Sequence, residues 1–212
     1  MAVWSRRLVV VGTLTALIAA SAYVAVLAWR AHKSASLLRR YTYYDRGITR
    51  IEIVSQETPE VSYADNAQMR TVYRWRLDGN TYQFRSQLAY ERNWKTLPLS
   101  AIESRVRQVV LDAKRARGYV LVVDRPFQTK GEQRGSLLIF RGKGREFGAL
   151  LLLHPQIKGV VFLSYHIPES PVHANEYRAK VLEVWEKVDL LAVADMDSKI
   201  QELIPASRHL ED

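Results

Sequence analysis

The chain has 212 residues and a mass of 24.4 kDa, room for one ordinary domain and a small addition. Hydrophobic residues make up 48% and charged residues 25%, a globular mixture that excludes a disordered or fibrous chain. There is no cysteine, which excludes a disulfide scaffold, a thiolate metal site and a cysteine nucleophile together. The formal net charge is +9, and its location matters more than its size. Met1 to Tyr44 holds Arg6, Arg7, Arg30, Lys33, Arg39 and Arg40 and no acid. Of 31 basic residues, 25 then face 22 acidic ones over the rest of the chain, an excess of only +3. Two thirds of the excess positive charge therefore flanks one apolar segment.

That segment, Leu8 to Trp29 (LVVVGTLTALIAASAYVAVLAW), has no charged residue. A helix of this length is about 33 Å long and matches a hydrocarbon core of about 30 Å. Trp4 and Trp29 bracket it as interfacial rings do, and Arg6-Arg7 and Arg30 close it. The competing reading is a cleaved signal peptide, with Ala20-Ser21-Ala22 as a small-x-small site. The apolar run continues to Trp29 without a break, which favours an uncleaved transmembrane helix. Arg6 and Arg7 with the α-amino group on one end nearly balance Arg30, Lys33, Arg39 and Arg40 on the other, a count that leans slightly towards a cytoplasmic carboxyl side. A short basic head suits a signal-anchor, so the following domain is expected on the exported side. The expected organisation is a head at 1–7, the membrane helix at 8–29, a basic juxtamembrane helix or linker at 30–44, a soluble domain at 45–192 and a short helix with a frayed tail at 193–212. Arg30, Lys33, Arg39 and Arg40 are candidate lipid headgroup contacts, each contributing about 1 kcal/mol near an anionic surface.

Ile48 to Ser55 alternates, with Ile48, Ile51 and Ile53 apolar, and predicts a strand. Gln56 to Ala67 is polar and reads as a loop. Met69 to Leu77 and Thr81 to Tyr90 then alternate around Asp78-Gly79-Asn80, which predicts a hairpin. Thr71, Tyr73, Trp75 and Leu77 share one face with Tyr82, Phe84, Leu88 and Tyr90. The opposite face carries Arg70, Arg74, Arg76 and Arg85, a candidate docking face for acidic protein, lipid headgroup or nucleic acid. The aromatics lie on the other side, which argues against base stacking and so against nucleic acid. The bland reading is a solvated face balanced by acids such as Glu52.

Ser100 and Glu103 form a capping-box pattern, followed by Ile102, Val106, Val109, Val110 and Ala113 at helical spacing and by Gly118. Four apolar runs come next, Tyr119 to Val123, Ser136 to Phe140, Phe147 to Leu153 and Val160 to Ile167. Ser170-Pro171 opens a second helix, with Tyr177, Val181, Val184, Trp185, Val188 and Leu191 as its apolar stripe. Asp195 to Leu203 reads as a short polar helix. The expected class is α+β: a single transmembrane helix, then a mostly antiparallel sheet of six to seven strands covered by two amphipathic helices. This element order, over roughly Ile48 to Leu191, resembles that of PsbP and Mog1-like domains, which place an antiparallel sheet between helices.

Reaction chemistry is not legible. The stretch Trp75 to Tyr82, W-x-x-x-G-x-x-Y, resembles a hairpin of membrane-anchored transglutaminase-like domains, but those enzymes need the cysteine this chain lacks. Arg141 to Gly148 is glycine-rich and basic, yet it precedes a strand and lacks the Lys-Ser/Thr pair of a phosphate loop. His166, Glu169 and His173 are spaced to converge, but His166 fits a strand and His173 a helix start. No G-x-S-x-G elbow or calcium loop is present. The expectation is a non-catalytic membrane protein without cofactor or metal, an accessory or assembly subunit docking on other membrane proteins. The alternatives are a tethered binding module for a lipid or small apolar ligand, and a hydrolase whose site is not readable.

Overall fold

The computed structural model describes residues 19–29, 37–64, 70–167 and 171–194. It falls into two compact units, Met1–Arg39 and Arg40–Asp212. In the first, residues 19–29 form helix α1, the carboxyl-terminal half of the predicted span. Leu8 to Ile18, together with Arg30 and Lys33, lies outside the described residues. Among the described residues no helix is long and apolar enough to cross a membrane.

The second unit is α+β with two antiparallel sheets. Strands β1 (Arg39–Asp45), β2 (Thr49–Ser55) and β10 (Asp189–Leu190) make a three-stranded sheet in the order β1-β2-β10. Strands β3 (Glu60–Ala64), β4 (Arg70–Leu77), β5 (Asn80–Ala89), β6 (Val120–Gln128), β7 (Arg134–Gly142), β8 (Arg145–His154) and β9 (Gly159–Ile167) make a seven-stranded sheet in the order β3-β4-β5-β9-β8-β7-β6. Helices α2 (Leu99–Ala116) and α3 (Pro171–Trp185) cover it, with a short 3-10 turn at Arg92–Thr96.

The large sheet separates two apolar cores. On one face, Tyr73, Trp75, Tyr82, Phe84, Leu150, Leu163 and Tyr165 pack with Val181, Val184 and Trp185 of α3 and with Ile51 and Ile53 of β2. On the other, Leu138, Phe140, Phe147, Ala149 and Leu151 pack against Ile102, Val106 and Leu111 of α2. β8 contributes to both cores, so seven of its ten residues from Glu146 to Leu152 are buried in succession and no alternation is visible in FGALLLL. Pro126 sits in β6 at the sheet edge, where its missing N–H breaks no inner ladder. Gly148 is needed for close approach: a Cβ there would lie 2.1 Å from Cε1 of Tyr165 across the strand pair.

Several expectations need correction. Arg39–Asp45 is a strand, not the end of a juxtamembrane helix; Tyr41 and Tyr43 turn inward with Asp45, and the Tyr43 ring meets Tyr73 edge-on at 5.7 Å. Part of the predicted loop Gln56 to Ala67 is the edge strand β3, held by backbone pairing to β4. The strand at Thr49–Ser55 does not join the hairpin's sheet, and among the described residues the strands number ten in two sheets. The Ser100–Glu103 capping box does not form, because α2 starts earlier with Pro98 at its N-cap, and Glu103 instead accepts a hydrogen bond from Ser136. Val109 is exposed rather than buried, and Lys114 takes its place in the α2 stripe. The predicted helix Asp195 to Leu203 lies outside the described residues.

Candidate functional site

The hairpin β4–β5 builds the candidate face. Its two-residue turn, Asp78-Gly79, has φ of 52° and 78° at the two positions, the left-handed pair whose twist matches that of antiparallel strands. This turn fixes the register Trp75↔Tyr82, Tyr73↔Phe84 and Thr71↔Ser86. Those six side chains are buried, with Trp75 stacked on Tyr82 at 5.5 Å and Tyr73 on Phe84 at 5.0 Å. Period two then puts Arg70, Arg74, Arg76 and Arg85 on the reverse face, where Arg74 is paired with Gln83 and Arg85 with Val72.

These four arginines are thus brought to one face, as the alternation predicts. Glu52, however, lies on β2 in the other sheet and faces Arg40 at 3.7 Å. The balancing acids are others. Arg74 donates to Glu60 at 3.0 Å and to Gln83 Oε1 at 3.1 Å, and Arg76 lies 3.5 Å from Glu57. Both arginine side chains stay exposed, at 48% and 62%, so these pairs are solvent-screened and contribute little to stability. A cleft of about 460 Å³ opens among Glu57, Thr58, Glu60, Arg74 and Arg76. Arg39 and Arg40, read as headgroup contacts, start β1.

Further along the same face, α2 and β9 add basic groups that sequence reasoning missed. Lys114 is only 8% exposed, and its ammonium lies 3.1 Å from the centroid of the Phe147 ring. Burial, then the charges of Arg117 and Arg85, lower its pKa to about 8. His166 stands beside Phe147 in the β8–β9 register, ring to ring at 4.7 Å, with an edge left exposed. Desolvation of the ring, then the cations Lys114, Arg85, Arg145 and Arg117, lower its pKa to about 4. No sequence pattern joins these residues, because they come from four separate segments.

The other polar clusters have structural partners. Asp45 is buried and accepts hydrogen bonds from Thr71, Ser86 and Arg46. Burial alone raises the pKa of the Glu146 carboxyl, but hydrogen bonds from Arg178, Tyr165 and Arg141 outweigh it and hold the value below the ordinary one. His154 is buried between the Leu191 carbonyl and the Ile157 N–H. His173 lines a cavity of about 250 Å³ with Tyr82, Ile167, Glu176 and Tyr177, beside α3. It therefore lies across the sheet from His166, and the two do not converge; Glu169 lies outside the described residues. Among the described residues no group of three His, Asp or Glu is placed to hold a metal ion.

Comparison with known proteins adds little to this geometry. No family model matches the chain, and no curated protein does. Among solved structures, the Ran-binding protein Mog1p of Saccharomyces cerevisiae matches with a TM-score of 0.43 at 12% identity, over 72% of this chain and 96% of that one. A mutant of protein Mog1 matches with a TM-score of 0.40 at 13% identity, over 74% and 97%. Likenesses this distant assign neither partner nor activity.

Proposed function

We propose that the chain is a non-catalytic, single-pass membrane protein, an accessory or assembly subunit whose α+β domain docks on a membrane protein complex. The observation that carries the reading is the open arginine face of the β4–β5 hairpin. The Arg74 and Arg76 side chains are exposed, at about half and more than half of their surface, and they flank a polar cleft of about 460 Å³. A row of guanidinium groups on a rigid sheet presents planar donors that fit carboxylates of a partner. Rigidity comes from the stacked aromatics directly beneath.

The membrane part rests on the uncharged run Leu8 to Trp29 and its basic flanks. Arg30 and Lys33, with Arg39 and Arg40, serve anionic headgroups in this reading, and the domain sits on the exported side. Docking is favoured over a small apolar ligand because the cavities beside α3 and beside α2 measure about 250 and about 290 Å³, at or below the lower end of the roughly 300–1,000 Å³ of ordinary ligand sites.

Two experiments test the proposal. Carbonate extraction leaves the full chain in the membrane fraction if the span is an anchor; release into the soluble fraction counts against it. Purification of the full chain in mild detergent yields another membrane protein in stoichiometric amount. A lone monomer without partner counts against docking.

A further inference from the structure

Lys114 is out of place for a structural residue. It is nine-tenths buried, and among the described residues its ammonium has neither a carboxylate nor a hydrogen-bond acceptor. Its contacts are the faces of Phe147 at 3.1 Å and Tyr119 at 5.5 Å. Desolvating an unpaired charge is costly even when, as here, its tip still reaches solvent. A cation–π contact offsets only part of that cost. The surroundings make the cost larger. Arg117 follows Lys114 by one helical turn at the end of α2. Arg145 precedes Phe147 by two positions on β8 and so shares its face. Arg85 lies opposite Ser164 in the β5–β9 register, two positions from His166. The β7–β8 turn closes the group from the side, since a Cβ on Gly118 would lie 3.4 Å from Cε of Lys143. Among the described residues Arg85, Lys114, Arg117 and Arg145 form no ion pair. The α2 dipole accounts for only about half a charge at its carboxyl end.

We propose that Lys114, Arg85, Arg117, Arg145 and His166 form a binding site for a phosphate group, with Phe147 as its floor. Three permanent cations, from the α2 C-cap, β5 and β8, surround Lys114 and form no ion pair among the described residues, which suits a doubly charged tetrahedral oxyanion better than a planar monoanionic carboxylate. Guanidinium forks match phosphate oxygens two at a time, and the lysine adds a point charge. The proposal is independent of partner docking, with Arg85 the one residue common to both. Two sources share the chemistry, a soluble phosphate ester and the phosphate of a lipid headgroup.

The test uses the full chain in non-ionic detergent, with the ring resonances of His166 followed by NMR. Inorganic phosphate is titrated against chloride at matched ionic strength, and in a second arm phosphatidic acid is added to the micelles. Phosphate is expected to shift the His166 resonances saturably and to raise its pKa, because a nearby dianion favours the imidazolium. Lys114→Met is expected to weaken binding roughly ten- to hundredfold, as loss of a charged hydrogen bond does. Arg117→Gln, at an exposed position that does not endanger folding, is expected to weaken it as well. A response to inorganic phosphate alone marks a soluble ligand, and a response to phosphatidic acid marks a headgroup. Shifts common to phosphate and chloride, or affinity unchanged in both variants, overturn the proposal.

Discussion

Replacing Lys114 with methionine should stabilise the domain in phosphate-free buffer. A pKa displaced from 10.5 to about 8 corresponds to about 3 kcal/mol held against the folded state at neutral pH. The ammonium recovers part of this from the Phe147 ring, about 1–2 kcal/mol for a desolvated contact. Methionine keeps the length of the stem and places sulfur against the same ring. The expected gain is therefore about 1–2 kcal/mol. Its pH dependence follows from the lowered pKa. Below about pH 8 both folded and unfolded lysine carry the proton, and the full cost is present. Between that value and the ordinary 10.5 the unfolded chain holds the proton that the folded chain has lost. Wild-type stability then rises with pH, and the advantage of Lys114→Met closes. Urea denaturation of the two proteins at about pH 7 and about pH 10 measures the difference directly. A variant less stable than wild type near neutrality, or a difference that stays constant with pH, refutes the reasoning.

Other substitutions test the packing. Trp75→Ala removes a buried ring stacked on Tyr82 and edge-on to Phe84, and thermal unfolding should show a loss of about 3–5 kcal/mol. Gly148→Ala drives a methyl into the buried Tyr165 ring; a fall of several degrees in Tm is expected, and an unchanged Tm would count against a tight Gly148–Tyr165 contact. Glu146 has its pKa lowered by Arg178, Tyr165 and Arg141 against the effect of burial, so its contribution is complete above the ordinary carboxyl pKa and is lost as pH falls through the lowered one. Glu146→Gln should cost a few kcal/mol at neutral pH by removing the carboxylate that balances the Arg178 charge, and the gap to wild type should narrow in acid titration.

Local period carried most of the fold. Strict alternation around Asp78-Gly79 set the hairpin register, and with it the side on which each arginine emerges. Elements held by tertiary pairing were harder to read. β3 has Tyr63 78% exposed and owes its order to backbone bonds with β4, which leave no mark on side-chain pattern. β10 is two residues long and exists through its pairing with β2. Lys114 was hidden for another reason: a lysine in a helical stripe reads as polar, and only the Phe147 ring beneath it shows that its stem is core. The basic cluster draws on α2, β5, β8 and β9, so no spacing within one segment could reveal it.

Charge reversal on the hairpin face tests the docking account most directly. The full chain and its Arg74→Glu/Arg76→Glu variant are each purified from membranes in mild detergent, at physiological ionic strength and at about 1 M salt, where the screening length falls from about 8 Å to about 3 Å. Surface changes of this kind move stability by about 0.5 kcal/mol or less, so both proteins should give the same unfolding curve. The account predicts a stoichiometric membrane partner on the wild-type chain, released by high salt and absent from the variant. A partner held equally by both proteins and indifferent to salt would contradict it.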